Sequence, residues 1–425
     1  METALAIFLL LTFIALVVYL VRGGNIIVGF FVMILIWGFA AGSSVSELVK
    51  IISDRIDAAG STILIIIFGS WFGRILVDTN IVGVIIRKTV ELGGDRPKFT
   101  VILLYLVSSA IFTSVYGIGT AMAIGLITMP IMFSLGIPKD ITATCFIMAD
   151  FTGMLINPTP FAQLKSTFEA IEYHGTFLHF ALCSMGIAAV IFVLMVMIRL
   201  RKGKVQHAWA AKAPSEDITR TRMFPLAYIT PIIPVILVAF FSWPVNPALI
   251  LSLLLALTFS GKMRHPKECL DLAMNSLRES VRDIAILILL MCCIWCYASV
   301  AKNCAFLFQP YVMALLPDNP LYIALAVGIL APLGLFRGPL ALSGVGTAVV
   351  AILVACGKYD PSFTAMLIFV PWLCMTFGTC PTQSTNAWVL SYTKVGIGEH
   401  LKSTLPWTWI CAIFMSIAMY YFFIG

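Results

Sequence analysis

Uninterrupted apolar runs, each close to the length that carries a helix across a bilayer, alternate along this chain with short polar stretches. "ALAIFLLLTFIALVVYLV" (4–21), "IIVGFFVMILIWGFAA" (26–41), "FALCSMGIAAVIFVLMVMI" (180–198) and "WTWICAIFMSIAMYYFFI" (407–424) are the plainest. The pattern predicts transmembrane helices, not core helices of a soluble domain. Other runs are punctuated by Gly and Pro at 99–135 and 320–356, and by Pro at 141–172 and 361–394. These predict two hairpin-like segments and two broken spans.

A shift of 220 residues lays one half of the chain on the other. "SVYGIGTA" (114–121) falls on "GLFRGPLA" (334–341), and "INPTPFAQ" (156–163) on "TFGTCPTQ" (376–383), with Thr159 over Thr379 and Gln163 over Gln383. Each half reads as two plain spans, a long span (61–88, 283–309), the hairpin, the broken span and a last plain span. If each hairpin enters and leaves by one face, a half crosses five times, and the halves are inverted. The expected organisation is a first repeat over 1–200, a basic linker over 201–222 and a second repeat over 223–425. The fold class is thus an all-α polytopic membrane protein of ten spans with two re-entrant hairpins.

Composition agrees: 60% of residues are hydrophobic and 11% charged, a balance foreign to soluble domains. The first run has no basic residue before it and no small-residue cleavage site after it, so it is expected to stay as a span. The net charge of +7 gains meaning from its distribution. With both termini outside, twenty of the 27 Lys and Arg residues fall on inner segments, and only Lys50, Arg55, Lys165 and Lys358 outside. That is the positive-inside pattern. The surplus therefore marks topology, and no nucleic-acid partner is implied. The expected localisation is a plasma membrane, the bacterial inner membrane being the one that fits.

Broken elements meeting from two inverted halves near the midplane are where secondary transporters bind their cargo. Arg337 stands at such a place, in "LFRGPLALSGVGTA" (335–348). A guanidinium is always charged, expensive at membrane depth and shaped for a carboxylate. Gly338, Pro339 and Gly344 are expected to open the hairpin tip so that amide groups face an anion, and Gly117, Gly119 and Thr120 occupy the first hairpin's tip. Two other readings of Arg337 stay open: a permanent salt bridge to Asp150, or a snorkelling anchor at a shallow tip.

Asp150 is the acidic residue in the apolar part of the first broken span, and it fits a proton or sodium site. Around the breaks, Asn157 and Thr159 on one side and Thr379, Thr382, Gln383, Ser384 and Asn386 on the other offer oxygens to a cation or to substrate hydroxyls. They could equally satisfy the backbone groups that the prolines free. Asp150, Asn157, Thr379 and Ser384 form the expected ion-coupling set. Arg74 and Asp78, four residues apart, are expected to pair with each other. The eleven cysteines lie mostly singly in spans, as packing residues do. The five histidines fall mostly in loops without ligand spacing, and no Ser-His-Asp set, P-loop or GxSxG elbow occurs. Enzyme and ATP-driven pump are therefore unsupported; no cofactor beyond a bound sodium ion is expected.

With hairpin tips "YGIGTA" and "FRGPLALSGVG" and breaks "NPTP" and "CPTQSTN", the chain resembles the Ion Transporter superfamily, which includes gluconate, citrate and C4-dicarboxylate symporters and the membrane subunits of TRAP transporters. The resemblance implies a scaffold and a transport domain, a homodimer, and elevator-like movement of carboxylates coupled to sodium or protons. It places Gly117, Gly119, Arg337, Gly338, Pro339, Ser343, Gly344, Asn157, Thr159, Thr379, Thr382 and Asn386 around the site. The implied partners are a small organic anion, H+ or Na+, and membrane lipid. A sodium/proton antiporter of related architecture is the alternative.

Overall fold

A computed structural model describes residues 2–94, 96–168, 171–200, 224–344 and 346–425, and all regular structure among them is helical. The first half contains α1 (Glu2–Val21), α2 (Ile26–Ala40), α3 (Val45–Ala58), α4 (Gly60–Asp78), α5 (Ile81–Gly93), α6 (Pro97–Phe112), α7 (Ile118–Ser134), α8 (Lys139–Met154), α9 (Pro158–Thr167) and α10 (Thr176–Arg199). The second contains α11 (Ile233–Phe241), α12 (Val245–Phe259), α13 (Pro266–Asn303), α14 (Ala305–Leu315), α15 (Pro320–Ile329), α16 (Gly346–Cys356), α17 (Pro361–Trp372), α18 (Ser384–Thr393) and α19 (Ile397–Phe423). The expected linker, 201–222, lies outside the described residues.

Among the described residues five helices are long and apolar enough to cross a membrane, and two bent pairs, α8 with α9 (57°) and α14 with α15 (99°), raise the number to as many as seven if each pair is one span. Large apolar side chains such as Phe8, Leu11 and Phe31 stay exposed on the outside of the bundle, where lipid would cover them. Within it, α8 is buried on every side from Ile141 to Met154, as a helix apolar all round must be. It packs on α6, α10 and α19, with Tyr105 and Phe192 stacked at 3.7 Å beside it. This is a multi-pass membrane protein.

The order of elements recurs in the second half, with two departures from the expected spans. The long span expected over 61–88 divides. Thr79 donates its hydroxyl to Ile75 O (2.6 Å), and Asn80 takes a left-handed backbone (φ 61°), so α4 ends and α5 starts in a new direction. Ahead of α4 lies the amphipathic α3, capped by Ser44 and Glu47 in a reciprocal box. In the second half the counterparts of α3 and α4 are fused. Residues 266–303 hold no glycine, and their one proline sits at the helix start, so α13 runs 38 residues without a break. Arg74 on α4 pairs with Asp78 (3.4 Å), as expected, and also with Glu279 of α13, while Asp78 accepts from Ser276.

Candidate functional site

Each broken span holds its break open with one amide side chain. In the first, Asn157 caps α9 by accepting from Thr159 N (2.9 Å), while its Nδ2 donates to Phe112 O and Val115 O of the hairpin tip (2.9 and 3.0 Å). In the second, α17 passes through a π-helical turn (Leu373–Phe377) into an unwound stretch before α18. Asn386 Nδ2 there donates to Thr376 O, Phe377 O and Cys380 O, each within 3.2 Å, and Gln383 accepts from Asn386 N (3.1 Å). Both asparagines are buried, so each replaces solvent for carbonyls that the break would orphan. The 220-residue register does not survive this region. The cap positions are Asn157 and Gln383, because the π turn and unwound stretch add residues to the second half.

The second hairpin turns through a 3-10 segment (Ala331–Arg337) in which Phe336 and Arg337 both have left-handed backbones (φ 53° and 62°). Non-glycine residues pay for that conformation, and such pairs persist where surrounding structure enforces them. Here Phe336 N is held by Cys380 Sγ (3.2 Å), and Trp372 Nε1 donates to Ser343 Oγ (3.2 Å). Arg337 is thereby aimed inward, its Nη1 donating to Ser343 O (3.4 Å).

The hairpin tips and both breaks enclose a cavity of about 110 Å³. Arg337 and Ser343 line it from one tip and Gly117 from the other; Asp150 and Gln163 come from the first broken span, Thr382, Gln383 and Ser384 from the second. Asp150 is 1% exposed, and among the described residues neither it nor Arg337 joins an ion pair. The salt bridge left open by the sequence is not formed.

Several expected residues lie elsewhere. Gly338 and Gly344 do not present amides to the cavity. Their N–H groups bond within the tip to Leu335 O and Ala341 O (both 3.0 Å), and an added Cβ would collide with Leu333 O or Arg337 O. They and Pro339 make the tip compact. Thr120 and Thr159 are buried against glycines of α4, Gly73 and Gly69. Asn157 and Asn386 are engaged with backbone, and Thr379 faces away from the cavity, its hydroxyl on Thr408 and its carbonyl on His400. Gly119 marks a close approach: a Cβ there would overlap the carboxylate of Asp283.

Asp283 itself was missed. It sits on α13 at the expected start of a span, and it lines the cavity with Tyr116, Trp372 and Thr376. Tyr116 accepts from Gln163 Nε2 (3.0 Å). No local sequence pattern marks it: its place at the cavity comes from how α13 meets α4 and α7.

The arrangement is that of a polytopic helical protein with an internal cavity bounded by broken elements of both halves. The chain shares its fold with the YdaH transporter of Alcanivorax borkumensis, whose crystal structure is described as revealing an unusual topology. The two match with a TM-score of 0.59 over 88% of this chain and 86% of that one, at 14% identity. At that identity the likeness is one of fold. No family model matches the chain, and no curated protein matches its sequence.

Proposed function

We propose that the protein is a secondary transporter that moves a small organic anion in symport with H+ or Na+. Arg337 receives the anion's carboxylate, and Asp150 carries the coupling cation. The observation that carries this reading is the pairing of opposite charges in one cavity without an ion pair between them. Arg337 is partly buried and bonded to Ser343 O, and a ligand carboxylate would answer the charge and the donors that this one carbonyl leaves over. Ser343, Thr382, Gln383 and Ser384 supply hydrogen-bonding groups around it, suited to a hydroxylated or multiply carboxylated acid. The superfamily resemblance adds an elevator motion, in which hairpins and broken spans slide against the plain spans, and a homodimer.

The test is uptake of labelled mono-, di- and tricarboxylates into proteoliposomes under an imposed sodium or proton gradient, with Arg337→Ala and Asp150→Asn beside the wild type. Saturable uptake of one acid, lost in Arg337→Ala and uncoupled from the gradient in Asp150→Asn, is the expected result. One observation favours the antiporter as a second reading: Asp283 brings a second carboxylate to the cavity, and exchange of cations needs such groups. Sodium-driven proton flux that persists in Arg337→Ala, with no acid transported, would replace symport with antiport.

A further inference from the structure

Behind the unwound stretch, on the side away from the cavity, lies a buried histidine. His400, near the start of α19, is 1% exposed, and both its ring nitrogens are bonded: Nε2 to Thr379 O (2.8 Å) and Nδ1 to Thr404 Oγ1 (3.2 Å). A carbonyl only accepts, so Nε2 carries the hydrogen and Nδ1 of the neutral ring accepts from Thr404. From Thr404 a file of hydroxyls continues to Thr144 (2.9 Å) and on to Ser403 (2.9 Å). Ser403 is bonded to Arg199, which pairs with Asp140. Thr404, Thr144 and Ser403 are all buried, whereas Arg199 and Asp140 are partly exposed.

We propose that His400 is a proton-binding site, loaded from the Asp140–Arg199 end along this file, whose charge is felt by the unwound stretch of the second broken span. Every group in the file has a partner in both charge states. With the ring neutral, Ser403 donates to Thr144, Thr144 to Thr404, and Thr404 to Nδ1. On loading, Thr404 gives its proton to Nδ1 and takes one from Thr144, which takes one from Ser403, which takes one from a hydronium ion arriving beside Asp140 and leaves water behind. Each hydroxyl loses one proton and gains one, and the net change is one proton on Nδ1. The hydroxyls then point back, with Thr144 donating to Asp140 O (2.8 Å).

Six charged groups stand around this end, four of them in the ion pairs Lys139–Glu399 and Asp140–Arg199. Lys139 and Asp140 come from α8, Arg199 from α10 and Lys394 from the end of α18; Glu399 and Lys402 belong to α19 itself. Lys139 meets Glu399 (3.4 Å) and Lys394 O (3.1 Å). Of the other elements packed on α19, α15, α17 and the π turn (Leu373–Phe377) contain no charged side chain, while the 3-10 segment Ala331–Arg337 brings Arg337 and α8 also carries Asp150, both on the cavity side. An imidazolium here has Thr379 O and Thr404 Oγ1 as its acceptors, and Thr379 is one residue from Cys380, which lines the cavity. In transport terms the site rests on the cation-coupled reading above, and gives the proton a seat apart from Asp150.

The experiment is ring-15N-histidine magnetic resonance on the full chain in lipid, titrated from about pH 8 to pH 4. The His400 signal is identified by its loss in His400→Gln. If that variant does not fold, a form with His174, His179, His207 and His265 all replaced by Gln leaves His400 as the sole signal. We expect an Nε2–H neutral ring that becomes an imidazolium within this range while the protein stays folded. Thr404→Val, which removes the Nδ1 partner and breaks the file, lowers the midpoint by about one pH unit or more, and Thr404→Ser restores it. A ring that stays neutral to pH 4 in the folded protein, or a midpoint indifferent to Thr404→Val, overturns the proposal and leaves His400 a structural tie. Failure here is separable from failure of the transport reading. Coupled uptake with a neutral His400 sinks only this site, and a titrating His400 without coupled flux sinks only symport.

Discussion

Asp150 and Arg337 face one cavity from opposite halves of the chain, and they do not pair with each other. Had they paired, each would answer the other's charge within the protein. Left apart, the two charges can be answered separately, the cation at one and the anion at the other.

Arg337 lets function be separated from stability. Its left-handed backbone suits glycine better, so Arg337→Gly relieves on the order of 1 kcal/mol of strain while removing the guanidinium. The expected outcome is an unchanged or raised melting temperature with loss of any rise caused by added carboxylate. Arg337→Ala keeps the strain and shares only the loss of ligand response. Differential scanning of the purified protein with and without the transported acid checks both.

Asn386→Ala should cost about 1–3 kcal/mol, because the carbonyls of Thr376, Phe377 and Cys380 lose their shared donor in a dry setting. Asn386→Asp should be worse, since it replaces that donor with acceptors. A chemical-denaturation or thermal series on the two variants reads this directly, and equal stability of Asn386→Asp and wild type would contradict it.

Gly119 and Asp283 should be coupled. Gly119→Ala pushes against the Asp283 carboxylate, and Asp283→Ala vacates that space, so the double variant should recover much of what Gly119→Ala loses. A double-mutant cycle on thermal stability is expected to give an interaction of roughly 1–3 kcal/mol. Additive effects would mean that the two groups are not in contact.

Helix α3, outside the membrane-spanning helices, should fray in acid. Hydrogen bonds from the Ser44 backbone and hydroxyl hold the Glu47 carboxyl below its usual range. A depressed folded value means that the contribution is present above the ordinary carboxylate range and is lost as pH falls through the depressed one. The protection of the Ser44, Glu47 and Leu48 amides, taken relative to the intrinsic exchange rate at each pH, should therefore fall at low pH in the wild type and be reduced at all pH values in Ser44→Ala.

The two breaks were legible because Pro and polar residues interrupt apolar runs, and Arg337 because a lone cation in such a run is conspicuous. The direction of each polar side chain was not. Asn157, Thr379 and Asn386 sit where expected in the chain, yet all three serve the backbone or the neighbouring helix, since an unwound segment frees more carbonyls than it offers to a ligand. Gly338 and Gly344 looked like openings and are close packing. His400 follows the loop after the second broken span, and a single histidine there has no ligand spacing to mark it. The spacing His400, Thr404, Thr408, at successive steps of four, is a polar stripe on one helix face that the sequence does display. Asp283 depended on how α13 meets α4 and α7, which no local pattern encodes.

At 1.5 Å per residue, the 38 residues of α13 make a rod of about 57 Å, well beyond the thickness of a bilayer's hydrocarbon. Its equivalent in the first half is jointed between Ala58 and Gly60. Two repeats with the same parts list thus differ in stiffness: one has an elbow where the other has a beam. A movement that bends the elbow would have no counterpart in the second half, and the beam is the member against which such a displacement can be measured.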